Sequence, residues 1–471
     1  MNIQNKLKKA FIAGITMCML TAALTGCTHV GLDSLDMDAE PTPANYKKLA
    51  SELATLYGQN PDDLAVTFAY AEKLTQLGDV QKAAEVLSPL LSTEKPNSRA
   101  ILLSAKIAYL NGNYAQAETL YDRILTEFQT YRKEAEYGLQ FVYYQTNQYQ
   151  KAQKLSGKND GSSGMTSIMR AYSGRRPYTV TWDGKKETTI PFVAREPLPV
   201  VEAELNGQKR HFIIDTGADD TYLNESAASE LGLKIVAART GSYAGGIEVT
   251  TNYGIVDSLR LGEVCLGAIP VNIAKMDHLA NITRKEIILS GLIGTGIFKQ
   301  FLVTMDYPSG VLTLKPRGEH LEAQPGAYKS SFIMAETHFT LLKALVNGKK
   351  INIWTDSGLA DTEGNALLLT DGATEYLGIP IPEMKEGSGA EDIGGLGGAD
   401  YSVGAFTAAT FEIDHLPAAY DVKGLIGVIP GSGFEESEIF LDGIISHNFL
   451  KQYKWTIDYD AMTMIFESPA K

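Results

Sequence analysis

Apolar and polar positions follow three different rhythms along the chain. Residues 11–24 form a mostly apolar run of 14, preceded by Lys6, Lys8 and Lys9. That length suits a secretory h-region and falls short of the roughly 20 residues needed to span a bilayer. From residue 44 to about 155 the spacing is helical and the pattern repeats. After Tyr178 it turns into short Val, Ile, Thr and Phe runs broken by Gly, Pro and the pairs Asn206-Gly207 and Asn347-Gly348. These predict strands and hairpins.

The helical stretch predicts paired helices. LTQLGDVQKAAEVLSPLL, AYLNGNYAQAETLYDRIL and YYQTNQYQKAQKL align with Gly78 and Gly112 34 apart, Ala83 and Ala117 34 apart, and Ala117 and Ala152 35 apart. A small residue where two helices approach, a Gly or Asn at the turn and an aromatic (Tyr114, Tyr149) after it resemble the tetratricopeptide repeat. The resemblance implies a short α-solenoid over residues 43–155. It serves either as a groove for a protein partner or as a spacer arm. Two to three degenerate units cannot bury a continuous core alone, so a neighbouring element is expected to cover them. GKNDGSSG, at 157–164, marks a linker over 156–177.

The strand-rich half is a duplication. VVEAELNGQKRHFIIDTGADDT aligns with LLKALVNGKKINIWTDSGLADT, which sets Asp215 against Asp356 at an offset of 141. GLIGTGIFKQFLVTMDYPSGVLTL, from Gly291, aligns without a gap on GIISHNFLKQYKWTIDYDAMTMIF, from Gly443, at an offset of 152. Two blocks in the same order predict two lobes, 178–318 and 319–471, related by a pseudo-two-fold axis. The fold class expected is α+β multidomain: a helical solenoid followed by a two-lobed all-β unit.

Composition excludes several classes. Hydrophobic residues are 44% of the chain, enough for a large core, and Asp plus Glu (56) outnumber Lys plus Arg (42) for a net charge of −14. Such a chain is a poor nucleic-acid partner. Three cysteines, Cys18, Cys27 and Cys265, are too few for a disulfide scaffold. Leu24-Thr25-Gly26-Cys27 resembles the lipobox of bacterial lipoproteins. That implies a signal peptide over 1–26, a lipid on Cys27, a membrane anchor and a polar tether over 27–42. The other reading is an ordinary secretory signal that contains a Cys. Thr28 in place of Asp after the cysteine favours the outer membrane, facing the periplasm. Processing removes three lysines and no acids, deepening −14 to −17. Cys265 is expected to be a buried, inert thiol.

The chemistry is carried by Asp215-Thr216-Gly217 and Asp356-Ser357-Gly358, each after an apolar strand and at equivalent positions of the duplication. DTGADDT, residues 215–221, resembles the retropepsin signature of aspartic proteases. Leu292-Ile293-Gly294 and the block from Ile444 resemble the element that braces the catalytic loop in pepsins and retropepsins. The resemblance spans roughly residues 195–470. It implies two catalytic carboxylates, Asp215 and Asp356, that share one proton and activate a water between them, with no metal and no cofactor. It also implies that Thr216 and Ser357 interlock across the lobes, while Gly217 and Gly358 permit close approach. Tyr243, Gly245 and Gly246 in one lobe, and Gly394 and Gly395 in the other, are either mobile flaps or plain loops. Asp219 and Asp220 either touch substrate or cap the loop.

Leu359 and Ser446 depart from the pattern, both in the second lobe. No HExxH, Walker loop or paired CxxC competes, the seven histidines show no ligand spacing, and His447 reads as a packing residue. The expectation is a membrane-anchored aspartic endopeptidase, acting on a peptide or protein substrate with its active site complete in one monomer. The alternative is a non-catalytic scaffold lipoprotein that binds peptide in the same cleft.

Overall fold

The computed structural model describes residues 31–91, 97–155, 164–172, 174–242, 248–277, 279, 287–360, 363–380, 403–414, 416–427 and 438–468. It is helical first and β-rich afterwards.

The helices are α1 (Pro43–Gln59), α2 (Leu64–Gln76), α3 (Val80–Leu91), α4 (Ser98–Leu110), α5 (Tyr114–Glu127), α6 (Arg132–Gln145), α7 (Tyr149–Leu155) and α8 (Gly164–Ala171). Starts are written locally: Thr42 caps α1 from its side chain with Pro43 in the first turn, and Asp63, Asn97 and Asn113 cap α2, α4 and α5. Stops recur with the period of the repeat. Gly78, Gly112 and Asn147 each take positive φ (71°, 72° and 57°). After each, the next amide reaches back, Asp79 to Leu74, Asn113 to Ala108 and Gln148 to Tyr143, closing a left-handed C-terminal turn. Ala83, Ala117 and Ala152 have no exposed surface, so each stands where helices meet without room for a larger side chain.

Two stretches differ from the sequence reading. Residues 164–171, inside the expected linker, form α8, with Ile168 and Met169 buried in it and Tyr172 buried just after it. An apolar trio at helical spacing outweighs the Gly/Ser composition just before it. In the expected tether, Leu32, Leu35 and Met37 pack against Leu49, Leu53 and Ala69 of α1 and α2. Cys27 and the signal region lie outside the described residues. No helix among the described residues is long and apolar enough to cross a membrane.

The β region opens with β1 (Thr179–Trp182) and β2 (Thr188–Ala194). The first lobe continues through β3 (Val200–Leu205), β4 (Gln208–Ile214), β5 (Thr221–Asn224), α9 (Glu225–Glu230), β6 (Ala237–Ser242), β7 (Glu248–Leu261), β8 (Val264–Ala274), β9 (Leu289–Ile293) and α10 (Thr295–Phe298). Next come β10 (Phe301–Asp306), β11 (Val311–Pro316) and β12 (Tyr328–Ala335). The second lobe runs through β13 (Phe339–Val346), β14 (Lys349–Thr355), β15 (Leu367–Thr370), α11 (Asp371–Leu377), β16 (Val403–Ile413), β17 (Ala419–Gly427), β18 (Gly443–Ile445) and α12 (His447–Leu450). It ends in β19 (Lys454–Asp458) and β20 (Thr463–Glu467).

Topology repeats with the sequence. The β3–β4 and β13–β14 hairpins turn at Asn206-Gly207 and Asn347-Gly348, all four residues at positive φ. β4 pairs parallel with β9 as β14 does with β18, and β5 parallel with β8 as β15 does with β17. Between the lobes, β2, β11, β10, β19, β20 and β12 form one antiparallel sheet. At its centre Thr304 faces Thr456, their hydroxyls 2.7 Å apart. Those two residues differ by the same 152 as the duplicated blocks, so the pseudo-two-fold axis passes through this pair.

One core runs through both lobes. A second core is shared by the helices and the β region, joining Leu74, Ile101, Leu139 and Tyr149 to Tyr253, Ala268, Ala335, Leu341, Ile439 and Leu441. The helical region therefore buries its apolar face against the lobes. Cys265 departs from expectation. It is half-exposed, because strand alternation along β8 turns Val264 and Leu266 inward and the thiol outward.

Candidate active site

Each lobe presents its Asp triplet at the end of a central strand. β4 ends at Ile214, and the Asp215 amide donates to Ile293 O on β9 (3.0 Å). β14 ends at Thr355, and the Asp356 amide donates to Ile445 O on β18 (2.9 Å). Past each strand the chain turns so that an amide closes on the carboxylate. Gly217 N donates to Asp215 Oδ1 and Gly358 N to Asp356 Oδ1, both at 2.8 Å.

Across the axis the two loops are locked together. Thr216 N donates to Ser357 Oγ and Ser357 N to Thr216 Oγ1, each at 3.0 Å. Thr216 Oγ1 in turn donates to Thr355 O (2.9 Å), and Ser357 Oγ to Ile214 O (2.8 Å). Both side chains are buried. The glycines let the loops close further: a Cβ on Gly217 would lie 2.4 Å from the Asp356 carboxylate, and one on Gly358 would lie 2.3 Å from Asp215 Cγ.

The structure thus brings Asp215 and Asp356 together across the axis, each carboxylate against the glycine of the opposite triplet and each half-buried. Burial raises the Asp215 carboxyl, against the lowering effect of the Gly217 amide, of Asp356 and of the Ala218 amide. Burial and then the Asp215 charge push Asp356 well above the usual carboxylate range. Two carboxyls so placed hold one proton between them and titrate as a pair.

The departures of the second lobe fit locally. In the first lobe a Cβ at Gly294 would meet Asp220 O at 2.2 Å, and Thr295 holds the loop through Ala218 O and Asp219 O. In the second, Ser446 faces Asn365 and Ala366, within the stretch that is longer in this copy. Its Oγ donates to Asn365 O (2.7 Å), its amide to Ala366 O (3.0 Å), and it caps α12. His447 N then donates to Leu359 O (2.8 Å). The Leu359 amide lowers the Asp356 carboxyl as the Ala218 amide lowers Asp215, so the larger side chain leaves this backbone role in place.

Asp219 and Asp220 support the loop. Asp219 Oδ1 accepts from Asp220 N (2.9 Å) and Tyr222 Oη (2.8 Å). Asp220 is 4% exposed and accepts from Tyr178 Oη (2.8 Å). Burial and the neighbouring Asp219 push it up to about 7. Lys299, also buried, is lowered to about 8 by burial, and donates to Gln145 Oε1 of α6 (2.7 Å) and Thr337 O (3.2 Å). Tyr178, Lys299 and Gln145 thus connect the Asp215 loop to the helices, a contact the sequence reading missed. One signal was present: Lys299 is a lone charge in the apolar run GTGIFKQFLV. Its equivalent, Lys451, instead pairs on the surface with Glu196 (3.0 Å).

His447 is fully buried, 3.7 Å from Glu196, and burial holds it down at about 4. Among the described residues no group of three His, Cys, Asp or Glu is placed to hold a metal. Tyr243, Gly245, Gly246, Gly394 and Gly395 lie outside the described residues. The first three fall between β6 and β7, which pair as a hairpin from Ala237↔Tyr253 to Ser242↔Glu248.

Residues 201–296 match the aspartyl protease family model, a segment that carries Asp215, its strand and the bracing element. A crystal structure of a retropepsin-like aspartic protease from Rickettsia conorii is similar at 22% identity, over 30% of this chain and 95% of that one, with a TM-score of 0.22. No curated protein matches the chain.

Proposed function

We propose that this protein is an aspartic endopeptidase whose nucleophile is a water activated between Asp215 and Asp356. The observation that carries the reading is geometric: each carboxylate lies against the glycine of the opposite triplet, across an axis locked by Thr216 and Ser357. The ionised carboxylate takes a proton from the water as its oxygen attacks the scissile carbonyl. The protonated partner donates to the carbonyl oxygen and supports the tetrahedral intermediate. Collapse of the intermediate returns a proton to the leaving amine, and the dyad is restored with one proton. The fit of Ser446 and Leu359 favours this reading over a scaffold that binds without turnover.

On the same footing we place the protein at the bacterial envelope, anchored through a lipid on Cys27, with its helices available to a protein partner on the face not covered by the lobes. The test is digestion of an unfolded protein across about pH 4–7, beside Asp215→Asn and Asp356→Asn. Cleavage by wild type and its loss in both variants is expected. Equal cleavage by all three would overturn the assignment, and inertness of wild type with saturable peptide binding would establish the scaffold.

A further inference from the structure

A cavity of about 260 Å³ lies between α1, α2 and the second lobe, and neither catalytic aspartate lines it. On one side is Asp442, 2% exposed. Its Oδ2 accepts from Asn352 N (2.7 Å), while Oδ1 has no hydrogen-bond partner among the described residues. Lys47 also lines the cavity. Its ammonium lies 3.5 Å above the Tyr376 ring and donates to Lys350 O. Lys343 and Lys350 also line it, but Asp79 takes both, at 3.1 and 3.4 Å. Ala50, Leu74, Leu77 and Ile351 supply apolar wall.

The charge pattern selects the ligand. A buried carboxylate oxygen without a donor costs free energy unless something supplies one. A metal ion or simple amine meets three lysines, and a phosphate meets two carboxylates. A net-neutral molecule with an ammonium at one end and a carboxylate at the other satisfies both poles. We propose that this cavity binds a free amino acid or short peptide with an apolar side chain, its ammonium on Asp442 and its carboxylate on Lys47. Burial pushes Asp442 up to about 6 and Lys47 down to about 8, so near neutrality both carry the charge required.

The site bridges α1 to β14 and to the residue before β18, the strands that hold Asp356. An occupant therefore ties the helical region to the second lobe, whether or not the dyad turns over substrate. The test is calorimetric titration of the full-length protein with L-leucyl-L-leucine, and with N-acetyl-leucinamide, which lacks both charges. One saturable site for the dipeptide is expected, weakened about tenfold or more in Lys47→Met and Asp442→Asn, unchanged in Asp215→Asn, and absent for the amide. No binding to wild type in the millimolar range overturns the proposal. So does equal binding by Lys47→Met, equal binding of the amide, or loss confined to Asp215→Asn, which would place the dipeptide in the catalytic cleft. Should Asp442→Asn fail to fold, Lys47→Met decides alone.

Discussion

The Thr216 and Ser357 hydroxyls each accept the other residue's amide across the lobe interface, and each donates to the strand behind its partner. Four bonds among buried groups hold the two Asp loops in one geometry. Ser357→Ala removes two of them and leaves Thr216 N and Ile214 O without partners. A cost of about 1–3 kcal/mol is expected, with Thr216→Val similar. The double variant should cost less than the sum, because each hydroxyl serves the same network. Urea unfolding of the four proteins measures this, and strict additivity would show that the lock is not cooperative.

Gly217 and Gly358 face the opposite carboxylates closely enough that a methyl group would overlap them. Gly217→Ala is therefore expected to move Asp356 by roughly 1 Å and to lower peptide cleavage about a hundredfold, since catalytic geometry tolerates little displacement. Ala is compatible with the backbone here, because neither glycine has positive φ. Circular dichroism should show an intact fold. A variant that cleaves at the wild-type rate would contradict the proposed role of the carboxylate pair.

What could be read from the sequence was local or repeated. Asn206-Gly207 and Asn347-Gly348 carry their own turn geometry, and Gly78, Gly112 and Asn147 mark helix ends by needing positive φ. The duplication placed Asp215 and Asp356 at matched strand ends before any packing was known. Long-range features stayed hidden. Asp220 reads as a substrate contact or a cap until Tyr178 and the helices are seen to close over it. Ser446 looks like damage to the bracing element until the backbone of Asn365 and Ala366 supplies its partners. Local pattern sets turns, caps and strand ends; which charge becomes buried is decided by residues far away in the chain.

Asp220 also makes stability depend on pH. Its carboxyl rises from 3.8 to about 7 on folding, so the native state holds a proton that the unfolded chain has released. The stability it contributes is complete below about 3.8 and is lost as pH rises through about 7. His447 acts in the opposite sense. Lowered from 6.5 to about 4, it adds stability above 6.5 that is lost as pH falls through about 4. The comparison that isolates Asp220 is therefore wild type against Asp220→Asn. Relative to the variant, wild type should lose urea resistance between pH 4 and 7. Parallel curves over that window would contradict the burial of a titrating carboxyl.

Lys299 is where the Asp215 loop and the helices depend on each other. Its ammonium is buried, bonded to Gln145 of α6 and to Thr337 O, and carries the positive charge that Asp220 feels. Lys299→Met removes the cation and both bonds but keeps the apolar stem. It leaves Gln145 Oε1 short of a donor at any pH and, once pH passes about 7 and Asp220 ionises, leaves that carboxylate without a nearby cation, so a loss of about 1–3 kcal/mol is expected, larger above pH 7. Replacing Asp220 as well removes the charge that the first change stranded. Lys299→Met/Asp220→Asn should therefore be more stable than the sum of the single losses predicts, by more than about 0.5 kcal/mol. Urea midpoints of the single and double variants between about pH 7 and 8, where both groups carry charge, test this. Additive losses would mean that Lys299 serves only Gln145 and Thr337, and that the helices do not reach the Asp215 loop through its charge.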